Sequence, residues 1–319
     1  MRSEDHIFNR PADGWQPRKL FPLGDSVLLE WEAQGEGDPI LASRLTNCDN
    51  KRGFCSLSQV PTLLKECQAA APALFIFHAS RCGSSVLAGY FETDPMNRVF
   101  FEPRAARRYF LRGDIAHTRD NTWALIKSFG LGGSPQQRRL IIKFNSLLTP
   151  YAHLVREAFP EVPIVFVYRH PLEILVSLHQ RPSGFLLPRT RLFIARYLDM
   201  GEAEANTAPI GELAARLLQR LLTCVVNADA NTVSHLINHS EFPSAPIDLE
   251  KQLFPDAERR DETAEELLGR HFGSNKPFRS DSPRKQGSAD TSLRDYFRRF
   301  ELDRLYEELE ETRKRQASS

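Results

Sequence analysis

The sequence predicts an α/β fold, a mainly parallel sheet flanked by helices and preceded by an N-terminal extension. Three observations carry that reading. Short, mainly apolar runs occur at residues 73–77 (ALFIF), 140–144 (LIIKF) and 164–168 (IVFVY), each the length of a strand buried on both faces. Each run is followed by a turn and then by helical signals, the alternation a parallel sheet needs if both its faces are to be covered. The 319 residues are 41% hydrophobic and 26% charged, enough apolar material for one large domain with additions.

Taken in order, residues 1–70 show few helical periods. Pro11, Pro17, Pro22 and Pro39 interrupt them, and residues 26–31 (SVLLEW) read as a strand. This segment is expected to pack as an extension on the main domain, which runs over 71–319. Residues 73–77 give the first core strand, HASRCGSS turns the chain, and 86–91 read as helix. Residues 98–101 (RVFF) and 140–144 give the next strands. Thr149 and Pro150 supply a capping hydroxyl and a proline at the first helical position, so a helix is expected there, with Leu154, Val155, Ala158 and Phe159 on its apolar face. Residues 164–168 form a further strand, and Pro171 opens the helix after it. Over 209–228, Leu213, Leu217, Leu221 and Val225 recur every four residues, the core-facing stripe of a long helix. A late strand at 234–237 and a helix at 262–271 follow. Residues 273–292 are polar, with Pro277, Pro283 and Gly287, and read as a long loop of the kind that forms a lid. A charged helix is expected over about 293–312.

Composition also excludes functions. Lys plus Arg is 42 against 41 Asp plus Glu, a net charge of +1, which argues against a general nucleic-acid binder. No apolar run has the length of a membrane span, and the first residues lack the apolar stretch of a signal peptide. The five cysteines, Cys48, Cys55, Cys67, Cys82 and Cys224, are odd in number and form no CxxC pair. A reducing, cytoplasmic setting is therefore expected, with neither a disulfide framework nor a zinc ribbon. HExxH and the EF-hand loop are absent, and no metal is expected.

Two places carry chemistry. The first is the turn Ser80-Arg81-Cys82-Gly83-Ser84-Ser85 between the first core strand and its helix. A helix start offers N–H groups without intrahelical partners and the positive end of the helix dipole, both suited to a phosphate or sulfate. Gly83 admits an anion close to the backbone, Ser84 and Ser85 add hydroxyls, and Arg81 adds a charged fork. Alone, the turn reads equally well as a serine-rich helix cap. The Lys-Ser/Thr pair of a Walker A loop is missing, which disfavours a nucleoside triphosphate with magnesium. The second place is Tyr168-Arg169-His170-Pro171, where a buried strand delivers Arg169 at its carboxyl end, the edge at which open α/β sheets bind ligands. Alone, Arg169 reads equally as a solvated strand end. Together the two places imply a ligand with two separate anionic groups.

In these residues the chain resembles the sulfotransferase family, which takes a sulfuryl group from 3′-phosphoadenylyl sulfate. Arg81-Cys82-Gly83-Ser84-Ser85 is similar to the family's turn that holds the 5′-phosphosulfate. Arg169-His170-Pro171 with Ser177 eight residues after the Arg is similar to its 3′-phosphate site. The resemblance spans residues 73–180 and implies a P-loop NTPase-like three-layer sandwich. It also implies adenosine 3′,5′-bisphosphate as spent donor and a small-molecule or carbohydrate hydroxyl or amine as acceptor. LIIKFNSL resembles the strand that ends Lys-x-His in many cytosolic members. Lys143 matches the Lys and implies a catalytic role, but Asn145 stands at the His position and takes no proton at neutral pH. Other branches place a Glu after the first helix, so Glu102 in Phe101-Glu102-Pro103-Arg104 is the implied base, the alternative being a Glu paired with Arg104 or Arg107. Arg284-Lys285-Gln286-Gly287 resembles the element that closes on the 3′-phosphate.

The acceptor surface has two readings. Arg98, Arg104, Arg107, Arg108 and Arg112 form either a site for an acidic acceptor or a solvated helix face. Phe100, Phe101, Tyr109 and Phe110 form either an apolar pocket or core. His78, His153, His170 and His179 are reserve bases. Two other functions compete with sulfuryl transfer: an inactive nucleotide-binding module, which Asn145 would suit, and a P-loop-type small-molecule kinase.

Overall fold

The computed structural model describes residues 14–23, 26–34, 39–45, 52–229, 231–242, 244–257 and 291–318. The extension holds an antiparallel sheet of order β1-β2-β3, made of β1 (Gly14–Leu23), β2 (Ser26–Gln34) and, after α1 (Pro39–Arg44), β3 (Arg52–Ser56). The strand expected at 26–31 is the middle of the three. The prolines that obscure its neighbour have a place: β1 is an edge strand, and its register shifts between Pro17 and Lys19, where the missing N–H is tolerated. Trp15, Leu20, Leu29 and Trp31 are buried beneath this sheet.

After α2 (Val60–Glu66) the chain enters β4 (Ala71–His78), α3 (Ser84–Glu92), β5 (Asn97–Phe101), α4 (Arg104–Leu111), α5 (Arg119–Ser128), β6 (Arg139–Lys143), α6 (Ala152–Ala158) and β7 (Ile164–Tyr168). It continues through α7 (Pro171–Gln180), α8 (Arg191–Tyr197), α9 (Glu202–Thr207), α10 (Ile210–Val226), β8 (His235–Asn238) and α11 (Ser244–Leu253). Two more helices close the described chain, α12 (Thr291–Arg299) and α13 (Leu302–Ser318). The five strands form one parallel sheet of order β5-β6-β4-β7-β8. Strand alternation sorts the core into two faces. Leu74, Ile76, Val99, Ile141 and Val165 pack with α3 and α11, while Phe75, Phe77, Phe100, Ile142 and Phe166 pack with α5, α6, α7 and α10. Helix, sheet and helix thus make the three layers expected.

Three expectations are corrected. The helix placed at Thr149 and Pro150 begins earlier as a 3₁₀ turn over Ser146–Tyr151, capped by the Asn145 side chain, which accepts from Leu147 N (3.1 Å). Thr149 does not cap it but donates its hydroxyl to the His78 carbonyl (3.3 Å). The single terminal helix is two helices, separated where Glu301 takes a φ of 50°. Residues 291–292, read as the end of a loop, already belong to α12. The helix expected over 262–271 and most of the loop, with Arg284 and Lys285, lie outside the described residues.

Arg98 fastens the extension to the sheet. It is fully buried at the start of β5, and its guanidinium donates to the carbonyls of Phe129 (2.8 Å) and Trp15 (2.8 Å) and to Gln137 Oε1 (3.2 Å), over the Phe100 ring. This excludes Arg98 from any acceptor surface. Replacing it leaves buried acceptors without donors, so Arg98→Met is expected to lower the unfolding free energy by about 3 kcal/mol. Urea denaturation followed by tryptophan fluorescence measures it.

Candidate functional site

Because all five strands are parallel, their carboxyl ends share one edge, and after β4 the chain lays β5 and β6 on one side of it and then β7 and β8 on the other. Such a switch point leaves a crevice outside the strand ends. The turn that leaves β4 opens there. Ser80, Arg81 and Gly83 take left-handed φ values of 71°, 49° and 88°. Only Gly adopts this region freely, so the two L-residues are held there at a cost of about 1 kcal/mol or more each. The curled backbone forms a concave nest of N–H groups at the start of α3. Those of Arg81, Cys82, Gly83 and Ser85 have no acceptor among the described residues, and Gly83, the N-cap, brings no side-chain cap. The cap reading therefore fails at Gly83, and the turn fits an anion.

Side chains around the turn divide its roles. Cys82 turns inward: its thiol donates to Val167 O (3.1 Å), and burial pushes it up to about 11. Only the Cys82 backbone can serve a ligand. Arg81 is exposed and anchored by Nη2 to Arg181 O (3.1 Å). His239, just beyond β8, lies over the turn, and a Cβ added to Gly83 would stand 3.1 Å from its ring. Burial, and then the charge of Arg169, push His239 down to about 4. A neutral His239 therefore lies between the turn and Arg169.

Beside the turn is a cluster no single segment contains. Alternation along β4 and β6 puts His78 and Lys143 on the same sheet face as Ile76 and Ile141. Glu102 follows β5 with a φ of 51°, and its N–H donates to Lys143 O (2.7 Å). That bend aims the carboxylate back along the edge. Lys143 Nζ donates to Glu102 Oε1, Asn145 Nδ2 donates to Oε2 (2.6 Å), and His78 Nε2 faces Oε1 at 3.6 Å. Burial would raise the Glu102 carboxyl, but the Lys143 charge, the adjacent His78 ring and the bond from Lys143 outweigh it and hold it far below the usual carboxylate range. Its side chain is still 35% exposed, so the ionised group opens to the crevice. The alternative pairing of Glu102 with Arg104 or Arg107 does not occur. Asn145 cannot act as a base; its side-chain amide fixes one oxygen of Glu102.

Arg169 follows β7 and donates through Nε to Glu173. Its terminal Nη groups have no partner among the described residues. Ser177 lies one turn beyond Glu173 on α7, half-buried, with its hydroxyl unpaired among the described residues. Of the other candidates, Arg104 and Arg107 are exposed, Arg108 lies against the Phe21 ring, and Arg112 pairs with Asp114 (2.7 Å). Phe100, Tyr109 and Phe110 are core. His153 and His179 are exposed, and His170 stacks on Phe297, so among the reserve histidines His78 alone touches the carboxylate. No group of metal ligands occurs among the described residues, and no helix among them is long and apolar enough to cross a membrane. The sequence reading missed Glu173 and His239. The first was legible in its i,i+4 spacing from Arg169, while the second depends on a contact between distant segments.

No protein-family model matches the chain, and no curated protein matches it by sequence. Among solved structures it is similar to a sulfotransferase from Alicyclobacillus acidocaldarius, with 16% identity, 76% of this chain and 96% of that one covered, and a TM-score of 0.40. It is also similar to the sulfotransferase domain from the curacin biosynthetic pathway (12% identity, 76% and 99% covered, TM-score 0.38). A sulfotransferase from Mycobacterium tuberculosis H37Rv matches at 13% identity, 76% and 79% coverage and a TM-score of 0.39.

The Lys143–Glu102 pair sets an acid dependence. The folded carboxyl lies below its unfolded value of about 4.3, so its stabilisation is complete above that pH and is lost as pH falls toward the folded value. Lys143→Met removes the main lowering influence. The drop in unfolding free energy between neutral pH and about pH 3 should then be smaller in the variant than in the natural protein, as measured by denaturation at each pH.

Proposed function

We propose that the chain transfers a sulfuryl group from 3′-phosphoadenylyl sulfate to a hydroxyl or amine of a small-molecule or carbohydrate acceptor. One observation carries the reading: an ionised, solvent-facing carboxylate stands at the strand end next to a turn whose N–H groups are open to an anion. The turn and Arg81 would hold the 5′-phosphosulfate, and Arg169 with Ser177 the 3′-phosphate. Remote binding of that second anion positions the reacting end without joining the chemistry.

The donor supplies a sulfuryl group already activated as a mixed anhydride with phosphate. A new S–O or S–N bond forms to the acceptor as the bond from sulfur to the phosphate oxygen breaks, with charge spread over the moving oxygens as in phosphoryl transfer. Electrons of the broken bond stay on the phosphate, where the turn N–H groups and Arg81 meet the added charge. The acceptor proton goes to Glu102. A carboxylate this acidic is a weak base, so it cannot deprotonate a free hydroxyl ahead of attack. It orients the hydroxyl and takes the proton once the forming bond has made that hydroxyl acidic. Lys143 and Asn145 serve by fixing the two carboxylate oxygens, which makes Lys143 a positioning residue for Glu102.

Calorimetric titration tests the reading. Adenosine 3′,5′-bisphosphate should bind, Arg169→Ala should weaken it by about tenfold or more, and Glu102→Gln should bind it within about threefold of the natural protein. Glu102→Gln should abolish turnover once an acceptor is found. Binding of ATP with magnesium in place of the bisphosphate would point to a kinase instead.

A further inference from the structure

We propose that His78 is a positioning residue that ties the anion-binding turn to the Glu102 carboxylate through the two nitrogens of its ring. The ring stands at the end of β4, in the middle of the sheet, and is 5% exposed. Its Nδ1 accepts the Ser80 N–H at 3.1 Å. A nitrogen that accepts carries no proton, so the neutral ring holds its proton on Nε2. Nε2 is buried and has no hydrogen-bond partner among the described residues, and it faces Glu102 Oε1 at 3.6 Å. A buried donor left unpaired is costly, and Oε1 is the carboxylate oxygen it faces, with the Phe144 carbonyl also beside the ring.

The ring must stay neutral for both contacts. Protonation at Nδ1 would remove the acceptor that Ser80 uses. Burial first, and then the Lys143 charge, push His78 down to about 4 against the opposing pull of Glu102, and these two are the charged groups that face it. The Ser80 contact matters because Ser80 holds a φ of 71°, outside the range an L-residue prefers. The bond to His78 closes a local ring that keeps it there. One imidazole therefore holds the turn in its anion-binding shape and, with Lys143, fixes the carboxylate oxygen. Its value in turnover rests on the sulfuryl-transfer reading, but its two contacts do not.

Two substitutions separate the contacts. In His78→Asn the amide oxygen replaces Nδ1 and keeps the Ser80 acceptor, while the amide nitrogen falls short of Glu102. In His78→Gln the amide nitrogen replaces Nε2 and the Ser80 acceptor is lost. The readouts are Ser80 amide exchange and the carbon-13 titration of the Glu102 carboxyl, both in the free full-length protein. Asn should preserve Ser80 protection and raise the Glu102 midpoint. Gln should speed Ser80 exchange by about fivefold and leave the midpoint in place. Equal behaviour of the two variants in both readouts overturns the proposal. Should either variant fail to fold, nitrogen-15 spectra of the natural protein decide: a proton on Nε2 that does not titrate from about pH 5 to 8 supports it, and a proton on Nδ1 overturns it. Bisphosphate titration of the same samples keeps the two ideas apart. A split pattern without bisphosphate binding removes the sulfuryl-transfer reading and leaves the coupling standing. Bisphosphate binding with no split removes the coupling alone.

Discussion

Lys143 ends a central strand with its ammonium buried, a place where a cation persists only beside a counter-charge. Glu102 provides that charge from the neighbouring strand, and much of the site's geometry follows from the pairing. Parallel register sets Phe101 opposite Lys143, so the next residue of β5 can bend back over the strand end. The left-handed φ of Glu102 is the backbone cost of that bend, offset by its N–H bond to Lys143 O and by the ion pair itself. A carboxylate held this way stays ionised and stays put. Its remaining freedom is toward the crevice.

The turn after β4 is built on the same logic of local strain held by surrounding contacts. Two L-residues and Gly83 occupy the left-handed region, and a Cβ at Gly83 would crowd the His239 ring. The result is a row of N–H groups without acceptors among the described residues, suited to solvent or an anion. His78 stands where the turn and the carboxylate cluster meet, and His239 stands between the turn and Arg169. Both rings are kept neutral by burial, so neither adds charge to a site that already holds Arg81, Lys143 and Arg169.

Much of this was legible in the sequence, for physical reasons that differ by element. Strands buried on both faces announce themselves as short apolar runs, so the central strands β4, β6 and β7 were readable. The strands of the extension were less so, because β1 carries Pro17 and Pro22 on an edge where proline is tolerated. The terminal helix read as one piece since its composition is continuous across Glu301, and only a backbone angle breaks it. Within the site, the Ser80–Ser85 turn and Arg169 follow from strand ends, and Glu102 from a family likeness. Their assembly does not. The clamp on Glu102 joins residues 41 and 43 positions apart, and His78 meets it from a third strand. Asn145 shows the limit best: in sequence it reads as a lost base, and in the fold it is a donor that holds the Glu102 carboxylate.

A crystal structure with adenosine 3′,5′-bisphosphate would show whether the turn and Arg169 hold one nucleotide beside Glu102. The 5′-phosphate is expected on the N–H groups of the Ser80–Ser85 turn, the 3′-phosphate on Arg169 and Ser177, and Glu102 still held by Lys143 and Asn145 beside the 5′ end. A nucleotide bound elsewhere, or bound in the turn with Glu102 swung away from the crevice, would contradict it.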